Sequence, residues 1–369
     1  MTDKKKIGIL TFYNTTNYGA LLQMYAIYHT LEKKGEKIEI IRYFCNAVEQ
    51  RENLSFLKAK TLKKFVRTIL LKIPNTRKKK NFKLFERDRF KFSEKLYTAE
   101  TLSSLKDKYD SVIVGSDQVW NFKLTGNDKG FFLTGASGIK KYAYAASFGS
   151  ETIDQKTEQI IAASLKEFDL ISVRELSAVD IVNNVCGIKP YFVLDPTFLL
   201  TPNEWKVIAK NSADDKTENE KPFILLYLIQ NKKKTIDYAK RIAEKNKWNI
   251  KYINISPYHI CGVENIRSAA PTEFLNLIQH ASLVITGSYH GLALSVNLSK
   301  PVYYELSEKK DNYNARISSL ITTLEMKECR LEYEKKEIPE IKYDRIQSKL
   351  SKLREQSIDV LNMMVNWKT

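Results

Sequence analysis

In Ala281-Ser-Leu-Val-Ile-Thr-Gly-Ser-Tyr-His-Gly-Leu-Ala-Leu-Ser-Val-Asn-Leu-Ser-Lys-Pro301, a short apolar run leads into a glycine-containing turn and then into a longer apolar run. This layout predicts a strand, a turn and a helix, which places polar groups at the carboxyl end of a parallel sheet, beside N–H groups that attract anions. His290, one of four histidines, lies in that turn and is a candidate for chemistry. Alternatively, Thr286 and Ser288 only cap the helix, and His290 is a packed, half-buried residue.

The alternation of apolar strands and helices extends over most of the chain. It predicts a βαβ unit over 7–43, further strands and a helix over 111–173, and a second alternating set over 223–304. The polar, aperiodic segment Asn211–Pro222 is interpreted as a surface loop at or just after a domain boundary. We therefore expect an α/β protein of two open parallel-sheet domains with the ligand cleft between the sheets.

The predicted domain organisation has three parts. At 369 residues the chain is longer than one hydrophobic core usually serves. An N-terminal domain is expected over 1–205, with a basic helical insertion at about 51–96, and a C-terminal domain over 206–340. Residues 341–369 include a long charged helix, which is interpreted as packing back across the domain boundary.

The cysteine pattern and the apolar runs limit the class of protein. Four widely separated cysteines form no CxxC pair, so neither a disulfide framework nor a zinc site is indicated, and reducing cytosol fits best. The N-terminal residues lack the features of a signal peptide, and no apolar run is long enough to span a membrane. A cytoplasmic protein is expected, with attachment to a membrane surface left open.

Most of the excess positive charge lies in one segment. The chain carries a formal net charge of +17, and 51–95 holds 16 Lys and Arg against 4 Asp and Glu, a net +12. Apolar residues interleave with these bases, which is typical of a basic amphipathic helix on an anionic membrane. The alternative is a solvated insertion whose apolar side packs on its own domain. No nucleic-acid-binding module is recognisable, so nucleic acid is not expected as a partner.

Several predicted strand ends are rich in polar residues. They are Asn14-Thr-Thr-Asn17-Tyr18-Gly19, Gly115-Ser-Asp117-Gln118-Val-Trp120-Asn121, Ser172-Val-Arg174-Glu175 and the turn that contains His290. Each segment is a weak signal, because Asn, Ser and Gly are ordinary loop residues and Arg174-Glu175 is also compatible with a surface pair. Their convergence on strand ends favours a shared site.

Taken in order, these segments resemble the polysaccharide pyruvyl transferase family. The resemblance runs from Ile7 to about Arg330, and it includes Asn17-Tyr-Gly-Ala-Leu-Leu-Gln23, Gly115–Trp120, Ser172–Glu175, Leu194-Asp-Pro-Thr-Phe198, Ser288-Tyr-His-Gly291 and Asn314-Ala-Arg316. It implies two facing Rossmann-like domains of the glycosyltransferase B kind. It also implies transfer of a pyruvyl group from phosphoenolpyruvate to two hydroxyls of a saccharide in surface polysaccharide biosynthesis.

The resemblance also implies roles for individual residues. His290 is expected to be the acid/base, with Asp117 as an alternative base. The donor-binding set is Arg174, Ser288, Gly291 and Arg316, and the acceptor-binding set is Asn17, Tyr18, Gln118 and Trp120. Phosphoenolpyruvate is the expected donor substrate, and no cofactor or metal is expected, since no step requires one.

One position departs from the family pattern. Family members often carry a basic residue two places before the histidine, and Ser288 stands there in this chain. A neutral hydroxyl cannot supply the charge-assisted grip that an arginine gives to phosphate or carboxylate. Arg174, Arg316 and the helix N-terminus after Gly291 would then have to hold the donor.

Two other functions are compatible with the sequence. One is a glycosyltransferase of the same two-domain shape that uses a nucleotide-sugar. The other is a non-catalytic saccharide-binding protein. For the pyruvyl transferase the expected acceptor is a lipid-linked or nucleotide-linked saccharide, and 51–95 is a possible contact with an anionic membrane.

Overall fold

A computed structural model of the chain describes residues 6–52, 62–210, 221–229, 233–254, 259–307, 314–335 and 337–365, and for residues 52 and 62–69 it describes the backbone only. Two sheets organise this part of the chain. Both are wholly parallel in their strand pairings.

The first sheet uses the N-terminal strands. They are β1 (Lys6–Leu10), β2 (Lys37–Tyr43), β3 (Phe92–Tyr97), β4 (Ser111–Val114), β5 (Lys140–Ala146), β6 (Leu170–Val173) and β7 (Tyr191–Phe192). The helices that accompany them are α1 (Tyr18–Lys33), α2 (Asn46–Glu52), α3 (Leu62–Arg89), α4 (Phe122–Thr125), α5 (Gln155–Lys166), α6 (Leu176–Cys186) and α7 (Pro202–Lys210).

The second sheet uses the remaining strands. They are β8 (Phe223–Tyr227), β9 (Asn249–Ile253), β10 (Glu264–Ile266), β11 (Leu283–Thr286) and β12 (Val302–Tyr304). Its helices are α8 (Lys233–Asn246), α9 (Pro271–His280), α10 (Tyr289–Asn297), α11 (Ala315–Leu324) and α12 (Tyr343–Val365).

The strand orders place a topological switch point in each sheet. The orders are β3-β2-β1-β4-β5-β6-β7 and β10-β9-β8-β11-β12, so the direction of winding reverses between β1 and β4 and between β8 and β11. In the first sheet Ile9 pairs with Ile40 on one side and Ile113 on the other. Ligands of open α/β sheets bind outside the carboxyl ends of strands at such points. The loops after β1, β4 and β11 are therefore the expected places for a site.

The core has two halves, one built on each sheet, and helix α1 packs against both. Nearly all of its residues are buried, because it packs on the first sheet and also against α9. The Tyr18 ring stacks on Phe274 with ring centroids 4.4 Å apart, and its hydroxyl donates to the Ala269 carbonyl at 2.8 Å. Tyr18 thus lies inside the contact between the two halves.

Helix α12 contacts both halves of the molecule. Ser357 Oγ accepts from the Leu194 N–H at 2.9 Å, and the Ser357 carbonyl accepts from the Tyr144 hydroxyl at 3.0 Å. Gln347 Nε2 donates to the Val296 carbonyl of α10 at 3.0 Å. The exact domain limits 1–205, 206–340 and 341–369 stay predictions.

The basic insertion contains a long helix and also a strand. Helix α3 includes Pro74 and ends at Arg89, and β3 then adds an edge strand beside β2, where the sequence predicted no strand. Phe82 and Phe85 of α3 are buried in the core, whereas Leu70 and Ile73 are 57% and 79% exposed. The part of the insertion at 53–61 lies outside the described residues. Among the described residues, no helix is both long and apolar enough to cross a membrane.

Glu86 on α3 is an ionisable group held in the interior. Its side chain is 9% exposed, and burial raises the pKa of the carboxyl to about 7, although Lys83 acts in the opposite direction. The folded state therefore retains a proton that the unfolded chain, with a carboxyl pKa near 4.3, releases earlier as pH rises. Between those two values the free energy of unfolding falls with increasing pH.

We expect Glu86→Gln to stabilise the protein above pH 7. The gain is up to about 4 kcal/mol, which is the linkage free energy of the raised pKa. It should vanish near pH 4, where the carboxyl is protonated in both states. Urea unfolding at pH 5, 6.5 and 8 measures this, and an equal effect of the substitution at all three pH values would contradict it.

Candidate active site

Polar loops from both sheets meet at one place. Asn17 caps α1 after β1, and its Oδ1 accepts from the Gly19 N–H at 2.9 Å. Asp117 follows β4, Arg174 follows β6, and Ser288 caps α10 after β11. Each loop begins where a parallel strand ends, so the fold brings together the segments that the sequence singled out.

Arg174 forms the centre of the site. Its side chain has no exposed surface, and its guanidinium donates to three carboxylates. Nη2 donates to Asp117 Oδ1 at 2.8 Å, Nε donates to Glu175 Oε1 at 3.2 Å, and Nη1 donates to Asp195 Oδ2. The same guanidinium lies 4.9 Å from the ring centre of Tyr289. Every guanidinium nitrogen of Arg174 is therefore engaged by a protein carboxylate.

The pKa values of the three carboxylates are shifted in different directions. Burial alone would raise the pKa of Asp117, but Arg174, His290 and Arg316 outweigh it and hold that pKa below its ordinary value. The pKa of Asp195 is likewise lowered, because His290 and Arg174 outweigh burial. For Glu175 burial prevails over the same cation and raises the pKa. The site thus combines two firmly ionised carboxylates with one that holds its proton more tightly.

His290 is the second residue of α10 and is 4% exposed. Its Nε2 lies 3.5 Å from Asp195 Oδ2, within ion-pair range when the ring is protonated, and it has no hydrogen-bond partner among the described residues. The other side of the ring faces the start of α1. A Cβ on Gly19 would lie 2.0 Å from His290 Nδ1, so only glycine fits there. His290 therefore lies between the first sheet's α1 and Asp195.

Arg316 makes fewer close contacts with carboxylates than Arg174 does. It belongs to the first turn of α11, and its side chain is 13% exposed. Its Nη1 lies 3.8 Å from Asp117 Oδ1, its guanidinium lies 5.5 Å from the ring centre of Tyr289, and its Nε has no hydrogen-bond partner among the described residues. Burial and the charge of Arg174 lower its pKa. An additional anion would relieve this unfavourable environment.

The other residues of the predicted donor set have local structural contacts. Ser288 Oγ accepts from the Gly291 N–H at 3.4 Å, and the Ser288 N–H donates to Thr286 Oγ1 at 3.0 Å. A Cβ on Gly291 would lie 2.5 Å from Thr286 Oγ1. The capping alternative for Thr286 and Ser288 is therefore found in the structure. For His290, whose Nε2 lies 3.5 Å from Asp195 Oδ2, the choice between a chemical role and a packing role stays open.

The predicted acceptor set is divided by the fold. Asn17 is exposed at the start of α1, and Gln118 is half-buried and accepts from Asn121 Nδ2 at 3.0 Å. Trp120 is 1% exposed and packs in the core, where its indole N–H donates to the Phe131 carbonyl at 3.0 Å. Tyr18 is buried as described above. The polar atoms of Trp120 and Tyr18 are paired with backbone carbonyls, and the acceptor role of all four residues stays a prediction.

Two carboxylates of the site were not among the predicted site residues. Asp195 caps the short helix Pro196–Phe198, since its Oδ1 accepts from the Thr197 N–H at 2.9 Å. Its other oxygen, Oδ2, accepts from Arg174 and faces His290, so Asp195 is both a helix cap and a member of the site. Glu175 adjoins Arg174 in sequence, and its Oε1 also accepts from the Ser147 hydroxyl. The sequence did contain a signal for these two acids: Glu175 belongs to Ser172–Glu175 and Asp195 to Leu194–Phe198, two of the segments that carry the family resemblance.

We expect Gly19→Ala to impair the site more than the fold. The added methyl would collide with the His290 ring and displace it from Asp195. Overpacking at a buried contact typically costs about 1–3 kcal/mol of stability. Loss of turnover should exceed ten-fold at a temperature where the variant is still folded. Full activity of the folded variant would show that the His290 position is not critical.

In the part of the chain that the structure describes, no group of three or more His, Cys, Asp or Glu side chains is arranged to hold a metal ion. The carboxylates of the site are instead paired with Arg174, whereas His290 Nε2, Arg316 Nε and Glu175 Oε2 have no hydrogen-bond partner among the described residues. The arrangement provides a buried histidine next to an ionised carboxylate, with a second arginine nearby.

The fold resembles that of nucleotide-sugar enzymes of the glycosyltransferase B kind. A UDP-GlcNAc 2-epimerase of Methanocaldococcus jannaschii is 15% identical over 99% of this chain and 93% of its own, with a TM-score of 0.52. Arabidopsis thaliana UGT89C1, solved with UDP-L-rhamnose, is 11% identical over 99% of both chains, with a TM-score of 0.51. A Neisseria meningitidis UDP-GlcNAc 2-epimerase, solved with UDP-GlcNAc, is 11% identical over 99% and 94%, with a TM-score of 0.51. At these identities the likeness shows the fold alone.

The sequence comparison gives the family. The chain belongs to the polysaccharide pyruvyl transferase family, whose model matches residues 17–304. No curated protein matches the chain significantly. Both the predicted fold class and the predicted family are therefore confirmed.

Proposed function

We propose that the protein transfers the pyruvyl group of phosphoenolpyruvate to two hydroxyls of a saccharide, forming a pyruvate ketal in surface polysaccharide biosynthesis. Family membership supports a transferase of this class. The observation that carries the proposal is the position of His290, 3.5 Å from an ionised carboxylate at the meeting edge of the two sheets, with Arg174 and Arg316 in the same cluster.

The reaction needs a proton donor and a site for an anion. A proton adds to the methylene carbon of phosphoenolpyruvate, and one sugar hydroxyl attacks the resulting cationic carbon. The carbon–oxygen bond to phosphate breaks, and the second hydroxyl closes the ketal. Of the two hydroxyl protons released, one balances the proton added to carbon and the other leaves with phosphate. A positioned acid/base and preorganised cations are the groups that accelerate such steps.

His290 is the proposed acid/base. An ionised Asp195 at 3.5 Å stabilises the positive charge that the ring carries before it donates its proton. Asp195 itself is held by Arg174 and by the Thr197 N–H, so its orientation is fixed from two sides. Asp117 remains the alternative base.

Arg316 is the proposed principal contact of the donor anion. Arg174 is fully buried and each of its guanidinium nitrogens donates to a carboxylate, so in this arrangement its proposed role is to position Asp117 and Asp195. The Arg316 side chain is 13% exposed, and its buried Nε has no hydrogen-bond partner among the described residues. A guanidinium suits phosphate and carboxylate. The buried ring of His290 implies that α1 and α10 must separate locally to admit the donor.

The deciding experiment measures phosphate release from phosphoenolpyruvate across a panel of lipid-linked and nucleotide-linked sugars. Release that depends on one acceptor, with a product that carries a carboxylate ketal by NMR, supports the proposal. Absence of release with every acceptor, together with thermal stabilisation by nucleoside diphosphates, would favour a nucleotide-sugar transferase. Saccharide binding without turnover of either donor would favour a binding protein.

We further propose that α3 holds the protein at an anionic membrane surface on the cytoplasmic side, where a lipid-linked acceptor would be met. Apolar side chains stay exposed on this helix: Leu70, Ile73 and Leu84 are 57%, 79% and 38% exposed. Exposed bases, Lys72, Arg77, Lys80 and Arg87, accompany them along the helix. Bases next to exposed apolar residues suit the boundary between lipid headgroups and acyl chains.

Changing Lys72, Arg77, Lys80 and Arg87 together to Gln is expected to lower binding to anionic vesicles by more than ten-fold. Each base near an anionic leaflet contributes about 1 kcal/mol. A variant with four exposed lysines changed elsewhere, Lys156, Lys189, Lys210 and Lys327 to Gln, is the charge-matched control. Vesicle sedimentation at two salt concentrations measures both. Equal sedimentation of the two variants would contradict the membrane proposal and would favour soluble nucleotide-linked sugars as acceptors.

A further inference from the structure

A cavity of about 170 Å³ lies between the loop after β1 and helix α3. The loop contributes Asn14, Thr15 and Thr16, and α2 contributes Glu49. One face of α3 contributes Lys79, Phe82, Lys83 and Glu86, which are spaced so that they point to the same side of a helix. No residue of the buried cluster around Arg174 lines it, so it is a separate space.

The cavity lies a short distance along the chain from the reacting groups. Thr16 lines the cavity, and Gly19, three residues later, is the residue against which His290 packs. Three residues of chain span at most about 11 Å. A ligand in the cavity is thus close enough for a neighbouring part of the same molecule to reach the site of His290.

The lining suits a neutral ligand with several hydroxyls. Carboxylates accept from hydroxyls, and ammonium, amide and hydroxyl groups donate to them or accept from them. Glu49 is already oriented, because Asn14 Nδ2 lies 3.3 Å from each of its oxygens. Glu86 is buried on the opposite wall, and Phe82 adds an apolar surface.

The charges of the lining argue against a phosphate as the occupant. Lys79, Lys83 and the carboxyl of Glu86 line the α3 side of the cavity, and the carboxylate of Glu49 lines the α2 side. An anion would gain from the lysines and lose to Glu49, whereas a polyol is satisfied by all four groups. At about 30 Å³ for each water molecule in the liquid, the cavity has room for about half a dozen waters, which is the scale of one sugar ring and below that of drug-sized ligands.

We infer that this cavity is a second saccharide subsite, which binds the sugar unit next to the one that receives the pyruvyl group. The inference rests on the proposed function, and it makes the acceptor an oligosaccharide of at least two units. Since α3 belongs to the basic insertion, the insertion would take part in selecting the acceptor.

The test measures saccharide binding without phosphoenolpyruvate. The probe is an array of defined mono-, di- and trisaccharides, followed by titration of those retained. The full-length protein is compared with Glu49→Gln and Lys83→Gln, and with Lys156→Gln as an exposed control outside the cavity. Circular dichroism checks that each variant is folded.

We expect retained saccharides to have at least two units and to bind more tightly than their component monosaccharides. Glu49→Gln and Lys83→Gln should each weaken binding about ten-fold or more, the usual effect of losing a charge-assisted hydrogen bond. Lys156→Gln should stay within two-fold of the natural protein.

Several outcomes would overturn the inference: no saccharide binding at all, equal binding of mono- and disaccharides, or unchanged binding by both cavity variants. Displacement of the saccharide by inorganic phosphate alone, with the same dependence on Lys83, would identify an anion site instead. Disaccharide binding that depends on the cavity would support the subsite. If the separate assay then showed no phosphate release from phosphoenolpyruvate, only the proposed reaction would be contradicted.

Discussion

His290→Ala is expected to lower turnover by roughly 10²- to 10⁴-fold, the usual contribution of a positioned acid/base. The ring Nε2 lies 3.5 Å from Asp195 Oδ2, and the other side of the ring packs against Gly19, so the fold holds the ring in one position. The effect should fall on kcat more than on the KM for phosphoenolpyruvate, because the missing proton transfer belongs to the chemical step.

Phosphate release from phosphoenolpyruvate with a saturating acceptor measures this effect. His280→Ala is the matched control, because His280 lies at the exposed end of α9 and contacts Asn276 rather than the site. Thermal melting of both variants separates loss of the proton donor from loss of fold. Near-normal turnover of His290→Ala would make His290 a packing residue and would leave Asp117 as the group to test.

The sheets were predictable because their strands are buried on both faces. β4 and β11 are fully buried, and each is an uninterrupted apolar run that a sequence pattern can locate. β3 and β10 were not predicted. They are edge strands of mixed polarity, with β3 inside the basic segment, and such strands carry no clear period.

The position of the site was predictable, but its internal pairing was not. Parallel strands end on one edge of a sheet, so polar strand ends were expected to converge. Which carboxylates face Arg174 depends on side-chain direction after each strand, and that is set by tertiary packing. Asp195 and Glu175 were therefore visible in the sequence as acids at strand ends, without any sign that one guanidinium binds both.

Trp120 shows that a short motif can contain a residue that packs in the core beside residues that face the site. It adjoins Asp117 and Gln118 in sequence, yet its ring stacks near Phe132, with centroids 5.4 Å apart, inside the core of the first half. A short motif at a strand end contains both site residues and the residues that anchor the loop. The aromatic member here anchors the loop, because its large apolar surface is stabilised by burial.

The buried cluster has consequences for stability as well as for catalysis. An ion pair fully removed from water gains little net stability, because the desolvation of its charges offsets their attraction. Removing one partner is a different matter, since the remaining charges stay buried without compensation. Arg174 compensates three carboxylates, so the fold depends on it more than on any single acid of the cluster.

Arg174→Ala is accordingly expected to reduce the free energy of unfolding by about 3–5 kcal/mol at pH 8, the range for breaking a buried ion pair. Arg174→Lys should recover only part of this, because one ammonium cannot reproduce donation by three guanidinium nitrogens to three separate carboxylates. Urea unfolding of the three proteins measures the difference. This outcome differs from the effect expected from sequence, in which the substitution mainly weakens donor binding.

The pH dependence of the free energy of unfolding distinguishes two roles for Arg174: pairing with the buried carboxylates and binding the donor. In the natural protein the lowered pKa values of Asp117 and Asp195 contribute stability above the unfolded carboxyl pKa, and that stability is lost only as pH falls through the lower folded values. Without Arg174 all three carboxylates lose a cation and their pKa values rise. Burial already prevails at Glu175, so the folded variant takes up protons as pH falls. The destabilisation caused by Arg174→Ala should therefore shrink between pH 8 and pH 5. A destabilisation below about 1 kcal/mol at both pH values, together with a raised KM for phosphoenolpyruvate, would instead make Arg174 a ligand of the donor that becomes free when the substrate binds.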